Sequence, residues 1–273
     1  MAHLIWDPSP EMFHFNLPLL GRPLLWYGFL FAAGFFAAYG VLFYLLRRYF
    51  STSKESSSFA EKLSFYVMIG AIVGARLGDL LFYQDWKSVI RDPLSLIAIW
   101  EGGLASHGGA IGILIALLIF SKRYKIAFLR VLDFTVIPTA LAAVFIRIGN
   151  FMNQEILGTA TNLPWGIIFL HPADKAAIVP RHPVQLYEAG LYLCIFFILL
   201  GDWHRRPAFK RVGWTAGLFL VLVFVARFCV EFVKVEQSVY IKAGSLLTMG
   251  QWLSLPFIAL GICLLYVSKK RSA

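Results

Sequence analysis

Two arginines lie near the ends of long apolar runs of this 273-residue chain, where a membrane helix would normally finish. Arg147 opens the polar stretch RIGNFMNQEILG at 147–158, and Arg227 opens RFCVEF, which contains Glu231. A guanidinium group stays charged in proteins and offers a planar fork of donors that suits phosphate oxygens. Two such groups on different helices predict a site that binds one phosphate group from two sides.

Two pairs of opposite charge at similar depths have more than one interpretation. Arg76 and Asp79 lie three residues apart in GARLGD, so they are neighbours on one helix, either as a structural ion pair or as part of a site. Arg227 and Glu231 have the four-residue spacing of a helical ion pair, and here the functional interpretation is favoured. Ionisable residues are costly at membrane depth and usually face a functional cavity.

His107 lies among four glycines in the stretch EGGLASHGG at 101–109. Glycine has no side chain, so this backbone can come close to another group. The pattern favours a functional histidine near a substrate over a structural one. Tyr27 lies in the first apolar run, Asn150 follows Arg147, and the entry to the fifth run carries His182, Gln185, Tyr187 and Glu188. Six predicted helices thus contribute polar groups at one level.

The composition restricts the class of protein. Hydrophobic residues make up 59% of the chain and charged residues 15%, whereas soluble domains are about half apolar and about a quarter charged. The net charge of +10 comes from short basic clusters between apolar runs, a pattern that encodes membrane orientation. A nucleic-acid-binding protein would need a basic stripe on a soluble fold, so we expect membrane lipids as surroundings and no nucleic-acid partner.

The elements that must position the polar residues are transmembrane helices. Such a helix needs about 20 mainly apolar residues, and seven runs qualify: 24–46, 63–83, 104–120, 129–149, 187–201, 212–232 and 251–268. The fifth run is short, so we expect little tilt or an extension at one end. PLSLIAIW at 93–100 is too short to cross and is predicted to be interfacial or re-entrant. STSKESSS at 51–58 is predicted to be a flexible cytoplasmic loop.

Lysine and arginine flank these runs unevenly. Fifteen of the 25 lie in the loops after the first, third and fifth runs or near the C-terminus, and seven lie in loops on the opposite side. The positive-inside rule therefore places the C-terminus in the cytoplasm and, with seven crossings, the N-terminus outside. The predicted fold class is an all-α integral membrane protein, a seven-transmembrane helix bundle.

Small residues and cysteines are assigned structural roles. Gly70, Gly74 and Gly78 are spaced four apart on one helix face, which predicts close packing against a neighbouring helix. The three cysteines lie inside apolar runs without CxxC spacing, so neither a disulfide nor a metal site is expected. Because no nucleotide or metal motif is visible, we expect no cofactor.

The stretch at 147–158 resembles the signature of the prolipoprotein diacylglyceryl transferases, which reads Gly-Arg-x-Gly/Ala-Asn-Phe-apolar-Asn-x-Glu-x-x-Gly. Five other stretches are similar to motifs of the same family: LLWYG, GARLGD, HGG, RHPVQLYE and RFCVEF. The resemblance covers nearly the whole chain. It departs at Ile146, where the signature has its leading glycine, and at Lys234 with the following VEQ, where the family commonly has an arginine and a Pro-Asp turn.

The resemblance implies an enzyme of the bacterial inner membrane with its active site toward the periplasmic side. It would transfer the diacylglyceryl group of phosphatidylglycerol to the lipobox cysteine thiol of a prolipoprotein and release glycerol-1-phosphate, the first step of lipoprotein maturation. Its partners would be phosphatidylglycerol, the prolipoprotein signal peptide and membrane lipids. Residues 1–273 would form a single transmembrane catalytic domain with a large periplasmic loop at 150–186.

The resemblance also implies roles for the polar residues. Arg147 and Arg227 would bind the lipid phosphate, and Glu231 would orient Arg227. His107 would be the base toward the thiol, with lipid positioning as the alternative. The expected catalytic residues are His107, Arg227 and Glu231, and the expected substrate-binding residues are Arg147, Asn150, Glu155, Tyr27 and Arg76.

Two other classes of protein fit the sequence less well. A carrier for an anionic lipid or solute would carry polar residues across the whole bilayer and have a duplicated half, and the sequence shows neither feature. A scaffold or receptor would leave two arginines at headgroup depth without a role.

Overall fold

A computed structural model describes residues 3–16, 23–84, 105–173, 175, 177–205, 211–236 and 246–270 of the chain. These residues contain seven α-helices, each of which largely coincides with one predicted apolar run: α1 Trp26–Leu46, α2 Ser53–Phe82, α3 Ser106–Tyr124, α4 Phe128–Met152, α5 Val184–Arg205, α6 Trp214–Val230 and α7 Met249–Lys270. The predicted interfacial segment at 93–100 lies outside the described residues. The chain forms two compact units, the first comprising Met1–Val41 with Thr135–Ala273 and the second Leu42–Phe134.

Six of the helices in the described ranges, all except α3, are long and apolar enough to cross a membrane. The chain is therefore an α-helical integral membrane protein. The helix α3 has 19 residues, and histidine, glycine, serine, Lys122 and Arg123 at its two ends lower its hydropathy. The helix α5 has 22 residues, so the short fifth run is extended at both ends, by polar and charged residues that a hydropathy window leaves out.

The helix α2 begins earlier than the sequence predicted. Thr52 caps it, because its hydroxyl accepts from the Glu55 N–H at 3.2 Å and the Glu55 carboxylate accepts from the Thr52 N–H at 3.3 Å. This reciprocal capping box satisfies two donors that a helix start leaves unpaired. The prediction of a flexible loop at 51–58 was therefore wrong from Ser53 onward, since the polar segment forms the first turns of a 30-residue helix.

In the second unit, α2 and α3 pack through facing glycines. A Cβ atom built on Gly74 would lie 2.7 Å from Gly112 Cα, and one built on Gly78 would lie 2.7 Å from Gly108 Cα. Both distances are too short for any side chain, so the two backbones touch directly. This confirms the packing role predicted for the glycines of α2.

Gly108, which follows His107, also lies in the contact between α2 and α3. Gly108 lies against the backbone of α2, and a Cβ on Gly109 would lie 3.5 Å from Ala75 Cβ. The Ala105 N–H also donates to the Ala75 carbonyl at 3.0 Å. Gly108 is therefore bare because a neighbouring helix packs there, which corrects the inference that this glycine leaves room for a substrate, whereas a Cβ at Gly109 would make ordinary van der Waals contact. Gly102 and Gly103 lie outside the described residues.

Five short strands accompany the helices of the first unit, which the all-α prediction did not include. The strands β1 (Leu4–Trp6), β4 (Ile167–Phe169) and β5 (Pro180–Arg181) form one sheet in the order β1-β4-β5, with β1 and β4 parallel and β4 and β5 antiparallel. The strands β2 (Glu11–Asn16) and β3 (Pro23–Leu25) form an antiparallel pair. Four of these strands have only two or three residues, too few to show a period-two pattern, so sequence periodicity could not reveal them.

The three-stranded sheet covers the end of α4. The ring of Trp6 in β1 lies 4.4 Å, centroid to centroid, from that of Phe151 in α4, and Phe169 in β4 packs edge to face on Phe151 at 5.8 Å. Leu157 and Ile167 complete this small buried core. The N-terminal segment and the loop after α4 are thus attached to the helix end that carries Arg147.

We predict that Gly74→Ala lowers the thermal stability of the purified protein, because the added methyl group must push α2 and α3 apart. Overpacking of this kind costs about 1–3 kcal/mol. Gly40→Ala is the matched control, since nothing lies within 4 Å of a Cβ at Gly40 and alanine favours a helix over glycine by about 1 kcal/mol. A detergent melting curve should show a lower Tm only for Gly74→Ala, and equal melting of the two variants would contradict the helix contact.

Candidate active site

The end of α4 brings three of the predicted substrate-binding residues into one hydrogen-bonded network. The guanidinium Nη1 of Arg147 donates to Asn150 Oδ1 at 3.3 Å, and Asn150 Nδ2 donates to Glu155 Oε2 at 3.0 Å. The other carboxylate oxygen of Glu155 accepts from Asn153 Nδ2 at 2.8 Å. The polar signature residues therefore fix one another, as the sequence predicted for their common location.

The turn after α4 holds Glu155 between two residues with left-handed backbone. Gln154 has φ 52° and Ile156 has φ 56°, values that are uncommon for non-glycine residues and unfavourable for a β-branched one. The fully buried Gln154 side chain locks this turn, since its Oε1 accepts from the His171 N–H at 2.7 Å and its Nε2 donates to the Pro8 carbonyl at 3.5 Å. Sequence reasoning had assigned Gln154 no role, because these partners are remote in the chain.

Tyr27, at the start of α1, packs its ring against the signature glycine Gly149. A Cβ atom on Gly149 would lie 2.9 Å from Tyr27 Cδ2, so a larger residue there would displace the ring. The Tyr27 phenol is an electrostatic neighbour of both Glu155 and Arg147. The structure thus places the Tyr27 ring against Gly149, on the helix that carries Arg147.

The main ion-pair partner of Arg147 is Glu188 on α5. Arg147 Nε lies 2.9 Å from Glu188 Oε2, and the two side chains are only 14% and 2% exposed. The N–H is not aligned on the oxygen, so the contact is an ion pair rather than a good hydrogen bond. Glu188 was visible in the sequence as part of RHPVQLYE, but only the rotation of α5 in the fold reveals that it faces Arg147.

Glu188 also faces Lys234, which the sequence treated only as a departure from the family pattern. Lys234 Nζ lies 3.7 Å from Glu188 Oε1 and 3.8 Å from Glu231 Oε2. These four residues, Arg147, Glu188, Lys234 and Glu231, form what we call the Glu188 cluster. Its charges alternate in sign, so each buried charge has a neighbour that offsets it.

The signature glycine Gly158 brings Lys234 to this position. Gly158 pairs with Lys234 in an antiparallel bridge, flanked by hydrogen bonds from the Thr159 N–H to the Val233 carbonyl at 2.9 Å and from the Val235 N–H to the Leu157 carbonyl at 3.2 Å. A Cβ at Gly158 would overlap the His182 backbone. The turn that follows α4 therefore determines where the segment after α6 runs.

The environment of Lys234 disfavours its charged form. Burial lowers the pKa of its ammonium group from the ordinary value of 10.5; the carboxylates of Glu188 and Glu231 oppose this change, whereas Arg147 and Arg227 reinforce it. Both guanidinium groups thus act on the same ammonium group.

Glu231 does not pair with Arg227 in the way the four-residue spacing predicted. The helix α6 ends at Val230, and Glu231–Val233 forms a 3₁₀ turn. In a 3₁₀ turn residues three apart are eclipsed, so the carboxylate of Glu231 faces Lys234. Within the described part of the chain, no carboxylate lies at ion-pair distance from Arg227, which leaves its charge for another anion.

The carboxylate of Glu231 is also placed at the start of α7. It lies over Gly250, the second residue of that helix, where any Cβ would overlap the carboxylate group. The positive end of a helix dipole favours a negative charge. Gln251 and Thr248 cap the same turn through reciprocal hydrogen bonds of 3.0 and 3.2 Å, so the position of Glu231 is fixed by a well-formed helix start.

Two predicted site residues, Arg76 and His107, belong to the second unit. Arg76 forms the ion pair with Asp79 that its spacing allowed, with 3.5 Å between Nη1 and Oδ2, and both residues are buried. Gln84 Nε2 also donates to Asp79 Oδ2 at 2.9 Å. His107, in the first turn of α3, has an exposed side chain.

The arrangement is suited to binding an anion and stabilising its negative charge. Arg147 is held by a buried carboxylate and an amide, while Arg227 carries a cation that acts on the same surroundings. Fixed guanidinium groups of this kind stabilise negative charge that develops on phosphate oxygens.

Within the described ranges, no three His, Cys, Asp or Glu side chains come together as a possible metal site.

Comparison with known proteins gives consistent matches over the whole chain. A sequence model of the prolipoprotein diacylglyceryl transferase family matches residues 14–267. The phosphatidylglycerol–prolipoprotein diacylglyceryl transferase of Tolumonas auensis is 42% identical over 271 residues, which are 99% of this chain and 99% of that protein. Proteins of the same name from Porphyromonas gingivalis and Chlamydia trachomatis are each 39% identical; the alignments cover 97% of this chain in both cases, and 94% and 98% of those proteins.

The polar residues of the signature stretch lie in the network at the end of α4, within the matched range. The range matched by the family model therefore includes the residues that form the candidate site. The chain belongs to the prolipoprotein diacylglyceryl transferase family.

Proposed function

We propose that this protein transfers the diacylglyceryl group of phosphatidylglycerol to the lipobox cysteine thiol of a prolipoprotein and releases glycerol-1-phosphate. This is the first step of bacterial lipoprotein maturation. The observation that carries the proposal is the buried contact of Arg147 with Glu188 and Asn150, which fixes its guanidinium group. Relatives whose names describe this activity align with nearly the whole chain.

The reaction places negative charge where the arginines are. The cysteine thiolate attacks the glyceryl carbon, a C–S bond forms, and the C–O bond to phosphate breaks with its electron pair on the phosphate oxygen. Charge therefore grows on the phosphate during the step, and preorganised donors there lower the barrier. Arg147 directs Nε at Glu188 and one Nη1 donor at Asn150, and it also forms a hydrogen bond with Tyr192. A guanidinium group has five N–H donors, so further donors remain for phosphate oxygens.

The remaining residues of the network act on the arginines and on the lipid headgroup. Asn150 and Glu155 brace Arg147 through the chain of hydrogen bonds that begins at Nη1. Tyr27 lies beside them and contributes a hydroxyl group for the glycerol headgroup. In this proposal Glu231 acts on the catalytic Arg227 indirectly, by holding Lys234 and the start of α7.

In this proposal His107 is the base that accepts the thiol proton, and Arg76 is a further substrate-binding residue. The exposed imidazole of His107 supports access by a substrate, and the buried Arg76–Asp79 pair supports a fixed cation. A thiol has an ordinary pKa of about 8.5, so a nearby base increases the reactive thiolate.

In the bacterial inner membrane the protein crosses seven times, with the N-terminus in the periplasm and the C-terminus in the cytoplasm. The uneven lysine and arginine distribution supports this orientation. At about 1.5 Å per residue, the 19 residues of α3 also approach the thickness of the hydrocarbon core. Residues 1–273 act as a single catalytic domain. The periplasmic loop predicted at 150–186 corresponds to the stretch between Met152, the end of α4, and Val184, the start of α5.

The direct test is incubation of the purified protein with phosphatidylglycerol and a lipobox peptide, followed by mass spectrometry. We expect the peptide mass to increase by one diacylglyceryl group. The increase should disappear without phosphatidylglycerol or when serine replaces the peptide cysteine. An unchanged peptide in the complete mixture, with a folded protein, would refute the proposed activity.

Arg147→Lys and Arg227→Lys should each reduce kcat/KM by about 100-fold or more, the scale of losing one donor to a developing anion. Lysine keeps the charge but loses the bidentate fork. Arg48→Lys, an exposed arginine after α1, is the control and should retain activity. Near-normal kcat/KM in either site variant would mean that the forked geometry is not needed.

His107→Gln tests the proposed base. A general base contributes about 100-fold to 10,000-fold in rate, so kcat should fall by at least that lower amount. A variant with kcat close to wild type would instead assign His107 to lipid positioning.

A further inference from the structure

Lys234 is the buried lysine of the active-site region. Its side chain is 6% exposed, and it lies between the carboxylates of Glu188 and Glu231, which are 2% and 8% exposed. Lysine is almost never buried unless it is paired. Its location therefore calls for an explanation beyond packing.

The contacts of Lys234 are ion pairs rather than hydrogen bonds. The distances of 3.7 and 3.8 Å from Nζ to the two carboxylates exceed the usual range of about 2.7–3.2 Å for N–H···O bonds. Within the described residues, no aligned hydrogen bond reaches either carboxylate oxygen of Glu188 or Oε2 of Glu231. The negative charges of these buried carboxylates are therefore offset by nearby cations.

Glu188 is shared by two cations that approach different oxygens. Arg147 faces Oε2 through Nε, and Lys234 faces Oε1. If Lys234 were neutral, the full charge of the carboxylate would act on Arg147. The guanidinium group would then rotate toward Glu188 and offer fewer donors to a phosphate group.

Lys234 is also held by backbone to the turn that presents Glu155. The bridge between Gly158 and Lys234 and the hydrogen bond from Thr159 N–H to Val233 O fix the two segments side by side. The ammonium group is therefore preorganised beside Glu188 rather than free to reach it from a flexible loop.

We propose that Lys234 is a positioning residue of the transfer reaction, whose positive charge shares Glu188 with Arg147 and so keeps the Arg147 guanidinium group directed at the lipid phosphate. The inference rests on the proposed function. It assigns Lys234 no contact with the reacting atoms, and its effect is carried by the Arg147–Glu188 pair.

The positioning role requires the charged form of Lys234. Burial lowers the pKa of Lys234, and Arg147 and Arg227 lower it further against the opposing carboxylates of Glu188 and Glu231. These four charged groups are the ones that face the ammonium group. Loss of the proton should therefore begin at a lower pH than for an ordinary lysine, whereas an arginine at this position would stay charged.

The test compares Lys234→Arg, Lys234→Gln and the wild type in full-length protein with phosphatidylglycerol micelles and a lipobox peptide. The kcat and KM for the peptide are measured from about pH 6 to about pH 10, a range that includes the ordinary cysteine pKa and approaches that of lysine. Lys270→Arg, at the exposed end of α7, is the matched control.

We expect Lys234→Gln to lower kcat about tenfold to 100-fold without changing KM for the peptide, the scale of moving a reacting group by about 1 Å. Lys234→Arg should restore activity near neutral pH. The ratio of its kcat to that of the wild type should rise several-fold toward alkaline pH, because only the wild type loses the charge. The ratio of the Lys270→Arg kcat to the wild-type kcat should not change with pH.

A Lys234→Gln variant with the same kcat as the wild type would overturn the inference. It would also be overturned if the ratio of the Lys234→Arg kcat to the wild-type kcat did not change with pH. If Lys234→Gln fails to fold, the pH dependence of the Lys234→Arg ratio decides alone. An inactive wild type would refute the proposed function, whereas normal wild-type turnover with a flat ratio refutes only the role of Lys234.

Discussion

A buried ion pair between two helices is the constraint on which the active-site region depends. Arg147 on α4 and Glu188 on α5 are both shielded from water, with 14% and 2% of their side chains exposed. Removing such charges from water costs several kcal/mol per ion, and their attraction offsets this cost only when the surrounding polar groups are arranged well. Asn150 beside Arg147 and Lys234 beside Glu188 supply that arrangement. The site is therefore a set of charges that compensate one another before any lipid binds, and Arg227 adds a cation without a carboxylate partner among the described residues.

Backbone geometry explains how these charges meet. The helix α4 ends just after Asn150, and the left-handed residues Gln154 and Ile156 turn the chain so that Glu155 points back to the helix end. Residues in such conformations cost about 1–3 kcal/mol each and persist where the surroundings determine them. The buried side chain of Gln154 provides part of this support. Gly158 then lets the segment carrying Lys234 run alongside. The signature stretch thus encodes a turn as well as a set of polar groups.

The helices and the polar network were predictable because both leave a strong local pattern. Long apolar runs require helices in a bilayer, and polar residues clustered at the end of one run can pair with one another, as Arg147, Asn150 and Glu155 do. Contacts that depend on helix rotation were not predictable. The partnership of Arg147 with Glu188 and the bare face of Gly108 depend on which side of a helix meets its neighbour. The four-residue spacing of Arg227 and Glu231 predicted a helical ion pair wrongly, because the α-helix ends at Val230 and a 3₁₀ turn begins at Glu231.

The most direct measurement is an experimental structure with a non-hydrolysable phosphonate analogue of phosphatidylglycerol bound to the protein. The account predicts that phosphonate oxygens lie at charge-assisted hydrogen-bond distance, about 2.7–2.9 Å, from guanidinium nitrogens of both Arg147 and Arg227. Glu188 should remain beside Arg147 Nε in that complex. A phosphonate group bound by other cations, with Arg147 and Arg227 both out of reach, would contradict the account.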